Sequence, residues 1–179
     1  MKKTLFIFGL FISAIIFAQE KVSTKHGQVT FEASVPSFEE VKATTKNASC
    51  ILKTSNGEFA SLILIKSFRF KIALMEEHFN ENYIESDKFP KATIKGKLLN
   101  FDAKNLTESF QTFTLDGKVD LHGKVVALKI PLKIKKTKQA IEILADFKLK
   151  PADFNIKIPS AVSNKVAKEV DVTANFSLN

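Results

Sequence analysis

The side chains with chemical potential are few and scattered. His26, His78 and His122 are the three histidines, and no two stand at a metal-ligand spacing. His26, just ahead of the first strand, and His122, in a turn, are expected to be exposed, and His78, beside Met75 and Phe79 on a helix face, half-buried. Glu76, Glu77 and Glu81 flank His78, a composition that could serve a metal or a general base. On a helix Glu77 and Glu81 share a face while His78 points elsewhere, which argues against a metal cluster. Tyr83 completes the set from which an enzyme acting on a lipid would draw His78, Glu77 and Tyr83. Neither a Gly-x-Ser-x-Gly elbow nor a glycine-rich phosphate loop is present. The lone cysteine, Cys50, excludes an internal disulfide. It lies in a strand-like stretch and reads as a buried, inert thiol.

These groups hang on elements that alternate. In residues 28–35, Val29, Phe31, Ala33 and Val35 share one face and Gln28, Thr30, Glu32 and Ser34 the other. Such period-two patterning marks a half-buried antiparallel strand. A second strand is expected within 41–53, a tight turn at Ser55-Asn56-Gly57, and a third strand over Phe59 to Phe68. Over 73–84 the period becomes helical, with Met75, His78, Phe79, Asn82 and Tyr83 on one face and Glu76, Glu77, Asn80 and Glu81 opposite. Phe89-Pro90 ends that segment, and Ala92, Ile94, Gly96 and Leu98 open the next strand. Further alternation runs through Phe113 to Leu121, Val126 to Ile134, Ile141 to Leu149 and Val170 to Leu178, with a turn at His122-Gly123.

About eight long strands and one helix predict an all-β fold, a closed antiparallel barrel. Closure removes the sheet edges that invite aggregation. At roughly 3.3 Å per residue, the walls would be about 30 Å long. Alternation puts Phe31, Ile63, Ile94, Leu115, Leu128, Ile130, Ile143, Phe147, Val172 and Phe176 on the inward faces. An eight-stranded interior is either filled by such side chains or holds one small ligand. Seventeen phenylalanines stand against one tyrosine and no tryptophan, which favours purely apolar contact over carbohydrate recognition.

The first 18 residues read as a secretory signal peptide: Lys2 and Lys3, an apolar run from Leu5 to Phe17, then the small Ala18. One domain over 19–179 remains, with a periplasmic or secreted location expected. The formal charge of +8 is spread along strand faces, as at Lys129, Lys133 and Lys135, which suits a solvated outer wall. It leaves room for transient contact with an anionic membrane surface and offers no nucleic-acid patch.

Residues 74–96, LMEEHFNENYIESDKFPKATIKG, resemble the signature of the YceI-like family. The likeness extends to 50–68, CILKTSNGEFASLILIKSF, to LDGKVDLHGKVVALKIPLKI at 115–134, and to DFNIKIP at 153–159. The resemblance implies an extended, eight-stranded lipocalin-like β-barrel capped by one short helix. It implies a long lipid tunnel lined by Phe31, Ile63, Ile94, Leu115, Leu128, Ile130, Ile143, Phe147, Val172 and Phe176, with Met75, His78, Phe79 and Tyr83 as its lid. It further implies an exported carrier of a polyisoprenoid or similar long-chain lipid, an isoprenoid quinone being the favoured cargo. No catalytic residue, metal or cofactor is implied, and a monomer or homodimer is expected. The competing readings are a filled-core envelope stress or interaction protein, and a lipid-acting enzyme.

Overall fold

The computed structural model describes residues 21–179; the signal-peptide reading falls outside them. The main strands are β1 (Lys21–Glu32), β2 (Lys42–Lys53), β3 (Glu58–Leu64), β5 (Lys91–Leu98), β6 (Gln111–Leu121), β7 (Lys124–Lys136), β8 (Ile141–Leu149) and β9 (Val170–Leu178). A two-residue strand β4 (Arg69–Phe70) and a helix α1 (Ala73–His78) lie between β3 and β5. The eight main strands pair antiparallel in the order β1-β9-β8-β7-β6-β5-β3-β2, and β1 pairs with β2 to close the barrel. The inward faces are those the alternation predicts.

Turn chemistry fixes the registers. Gly57 adopts φ 75° and its N–H donates to the Lys53 carbonyl, closing the β2–β3 hairpin. His122 (φ 52°) and Gly123 (φ 71°) are both left-handed, as a two-residue hairpin turn between twisted strands requires. β5 and β6 pack closely where Gly96 pairs with Gly117.

Two departures from simple alternation matter. The expected strand from Phe59 to Phe68 stops at Leu64, where a 3-10 turn (Ile65–Ser67) intervenes before β4. The Ser67 hydroxyl donates to the Leu64 carbonyl and pairs with the Thr45 hydroxyl at 2.7 Å, so local side-chain bonding displaces the ladder. The β7–β8 ladder covers only Leu132–Lys136 against Ile141–Ala145. It stops at Pro131, which has no N–H to donate, while the β6–β7 ladder runs past Thr114↔Pro131 unbroken. Beyond that point the 3-10 turn Pro151–Phe154 packs against β7, with Phe154 buried.

The helical segment also departs from its predicted face. After His78 the chain continues as a π turn (Phe79–Tyr83), the Ile84 N–H donating to the Phe79 carbonyl. The extra residue per turn rotates the faces. Asn82 is exposed, whereas Glu76 and Asn80 are partly buried. Glu76 accepts from the Arg69 guanidinium at 3.0 Å and from the Phe70 N–H at 3.1 Å, and Asn80 donates to the Glu76 carbonyl.

Candidate functional site

One end of the barrel holds a cavity of about 450 Å³. Its wall is Val29 and Phe31 of β1 with Ala33 just beyond it, Ile63 of β3, and Ala92 and Ile94 of β5. Val119 and Leu121 of β6, Phe147 and Leu149 of β8, and Val170 and Val172 of β9 complete it. These positions alternate with solvated neighbours, so the pattern that folds each strand also makes the wall apolar.

Three segments form the rim. The first is the loop after β1, with Phe38, Glu39 and Val41. The second is the lid, where Met75, His78, Phe79 and Tyr83 all line the cavity together with Phe70 and Ile84. The third runs from Pro151 and Phe154 through Ile156, Ile158, Val162, Lys165 and Val166. Ala33 ties two of them together: its N–H donates to the Val41 carbonyl, and its carbonyl accepts from the Ala167 N–H. Glu39 and Lys165 are the carboxylate and ammonium on this lining, and both are exposed.

Aromatic packing holds the lid to the wall. Phe79 of the π turn lies 5.1 Å from Phe31, 5.2 Å from Phe70 and 6.1 Å from Phe68. Phe31 in turn meets Phe68 at 5.0 Å and Phe70 at 5.6 Å, edge to face. Ring pairs at these separations add to simple burial.

His122 joins the lid side of the mouth to the third rim segment. Its Nδ1 lies 3.0 Å from the Phe154 carbonyl and its Nε2 2.9 Å from the Glu85 carboxylate. Phe89 covers the ring at 4.4 Å. Glu85 and Asn155, flanking these contacts, both sit at positive φ. The expectation that this turn histidine is exposed is therefore corrected: its side chain retains only 10% of its accessible surface. His26 is exposed as expected, but within β1 rather than ahead of it. His78 lines the mouth and is exposed, not half-buried.

Of the ten positions expected to line a tunnel, Phe31, Ile63, Ile94, Phe147 and Val172 face the cavity. Leu115, Leu128, Ile130, Ile143 and Phe176 do not. They pack with Cys50, Leu52, Phe59, Leu98, Leu132, Ile134 and Leu178 in a filled far half of the barrel. Alternation identified the inward face correctly but carries no signal for how far along the axis the interior is filled. The sequence reading also missed Phe38, Phe68, Phe70 and Phe154, which lie outside the long strands. The Ile156/Ile158 alternation within 153–159 was the available signal for the third rim segment. Cys50 is buried, and burial pushes its thiol far above the ordinary range, so it is no nucleophile. Glu77 is exposed and does not line the cavity, so His78, Glu77 and Tyr83 do not converge there.

The model of the YceI-like domain matches residues 21–178. The chain belongs to the YceI-like family. Solved structures with a similar fold include a polyisoprenoid binding domain from Saccharophagus degradans implicated in plant cell wall breakdown. That match has 15% identity and a TM-score of 0.77, and covers 89% of this chain and 98% of that one. Burkholderia cenocepacia BcnA matches at 14% identity and a TM-score of 0.70, over 86% and 96% of the two chains. The Campylobacter jejuni YCEI protein matches at 16% identity and a TM-score of 0.57, over 80% and 85%. No curated protein is significantly similar in sequence. At these identities the YceI-like neighbours establish the barrel fold for this chain.

Proposed function

We propose that this YceI-like protein is a non-enzymatic carrier that holds the apolar tail of a polyisoprenoid or similar long-chain amphiphilic lipid in its cavity. The observation that carries the reading is the wall: from Val29 round to Val172 it presents aliphatic and phenylalanine side chains alone. Polar groups are confined to the mouth, at His78, Tyr83, Glu39 and Lys165, where a headgroup would stay wet. Each methylene buried contributes on the order of 0.8 kcal/mol before ordering costs. The name of the Saccharophagus domain, a polyisoprenoid binding domain, supports the same ligand class. An isoprenoid quinone is the favoured cargo, since its ring would meet the His78 and Tyr83 side of the mouth.

Export is part of the proposal and rests on Lys2, Lys3 and the apolar run from Leu5 to Phe17. Exposed Phe38 on the rim and exposed Leu74 on the lid helix support transient contact of the mouth with a membrane surface. The filled far half favours one alternative, an interaction protein acting through its outer wall. Titrating delipidated protein with an isoprenoid quinone, read by displacement of a fluorescent fatty-acid probe, separates the two. Saturable displacement at micromolar quinone is expected for the carrier, and no probe or quinone binding for the alternative.

A further inference from the structure

Backbone hydrogen bonds do not close the barrel wall over its whole height. β7 pairs with β6 from Lys124 to Ile134, yet with β8 only from Leu132 to Lys136. β8 goes on pairing with β9 as far as Leu149. A seam therefore separates residues 124–131 of β7 from 146–149 of β8. Phe147 and Leu149 line the cavity, so the seam lies at the cavity's level. The 3-10 turn Pro151–Phe154, which follows β8 and packs against β7, stands in for the missing ladder. Pro151 and Phe154 both line the cavity, and Phe154 is 1% exposed. The backbone bonds of this turn are internal: the N–H groups of Asp153, Asn155 and Ile156 donate to the carbonyls of Lys150, Ala152 and Pro151. Among the described residues, its hydrogen bond to the β7 side of the seam joins the Phe154 carbonyl to His122 Nδ1.

We propose that this seam is a side portal of the lipid site and that Phe154 is its plug. The inference rests on the lipid-carrier reading and sharpens its ligand class to polyprenyl chains longer than the cavity. The headgroup of such a chain stays at the mouth, while its far end displaces Phe154 and leaves through the wall. The axial route is shut, because Leu115, Ile130 and Ile143 pack the far half of the barrel. The sides of the seam are apolar inside, with Val126 and Leu128 on β7 and Phe147 and Leu149 on β8 packed against the core. Parting two paired strands would strip partners from a row of N–H and C=O groups. Moving the Phe154 turn breaks no ladder bond, and the incoming tail covers the apolar surface that the phenyl ring leaves.

The test is a homologous series of prenols, from short to long, titrated against wild type and Phe154→Ala. In wild type a long prenol must displace a buried phenyl side chain. Phe154→Ala removes that penalty and should tighten long prenols by about 10- to 100-fold, with no gain for prenols short enough to stay in the cavity. An effect equal at every length, or a loss confined to long prenols, overturns the portal and leaves Phe154 as plain wall. Hydrogen exchange of wild type makes the same comparison without a variant, and carries it should Phe154→Ala not fold. Long prenols should speed exchange at the Asp153, Asn155 and Ile156 amides, and short prenols should not. Exchange there that long prenols slow or leave unchanged overturns the portal alone. Wild type that binds no prenol of any length overturns the carrier reading and the portal with it.

Discussion

Replacing Phe79 with leucine tests whether aromatic packing holds the lid. Leucine keeps an apolar side chain at the π turn but abolishes three ring pairs, with Phe31, Phe70 and Phe68. At about 0.5–1.5 kcal/mol each, independent pairs would total roughly 1.5–4.5 kcal/mol. They share one half-buried ring, so they do not add fully, and about 2 kcal/mol is the expected loss. For a chain of this size each kcal/mol lowers Tm by about 2–4 °C, so a drop of roughly 4–8 °C is expected in a calorimetric scan. Because the ring also lines the cavity, a bound quinone should dissociate faster from the variant in a stopped-flow chase. A Tm within about 1 °C of wild type, together with an unchanged dissociation rate, would refute the idea that this cluster anchors the lid.

Further perturbations probe the frame around the site. His122→Ala removes two hydrogen bonds that join the lid to the third rim segment; with Glu85 partly solvated, a loss of about 1–2 kcal/mol is expected in urea unfolding. Glu85→Ala should then cost less in the His122→Ala background than in wild type, and strict additivity would show that the pair is not coupled. Gly96→Ala places a Cβ 2.4 Å from the Asp116 carbonyl oxygen, so β5 and β6 must separate; a cost of about 1–3 kcal/mol is expected, and an unshifted urea midpoint would contradict it. Cys50 should resist a thiol reagent in the native protein and react on unfolding. Its folded thiol holds its proton where the unfolded one loses it, so stability should decline as pH rises above the unfolded thiol's value near 8.5; flat stability from pH 8 to 10 would contradict this.

Much of the barrel was legible because a strand with one solvated face must alternate. Val29, Phe31, Ile94, Phe147 and Val172 announced their inward orientation in this way. The lid residues Met75, His78, Phe79 and Tyr83 were legible as one helical face, although Asn82 and Asn80 exchanged places at the π turn and Glu76 is held inward by Arg69 and the Phe70 N–H. What the sequence concealed was depth. Leu115, Ile130 and Ile143 alternate just as Ile94 and Val119 do, yet they fill the interior, because filling depends on shapes brought together across strands. Phe176 against Gly27 is such a pairing, joining residues at opposite ends of the chain. His122 was hidden for a related reason: its partners, Glu85 and Phe154, come from distant segments that meet only in the closed barrel.

The central claim is that the apolar cup holds a lipid tail. Native mass spectrometry of the protein purified from its own host, followed by organic extraction and identification of the extract, tests it most directly. The account predicts one long-chain amphiphile per chain, retained by wild type and lost when a charge is introduced into the wall by Ile94→Lys. A chain that emerges empty, and stays empty after incubation with isoprenoid quinones and prenols, would contradict it.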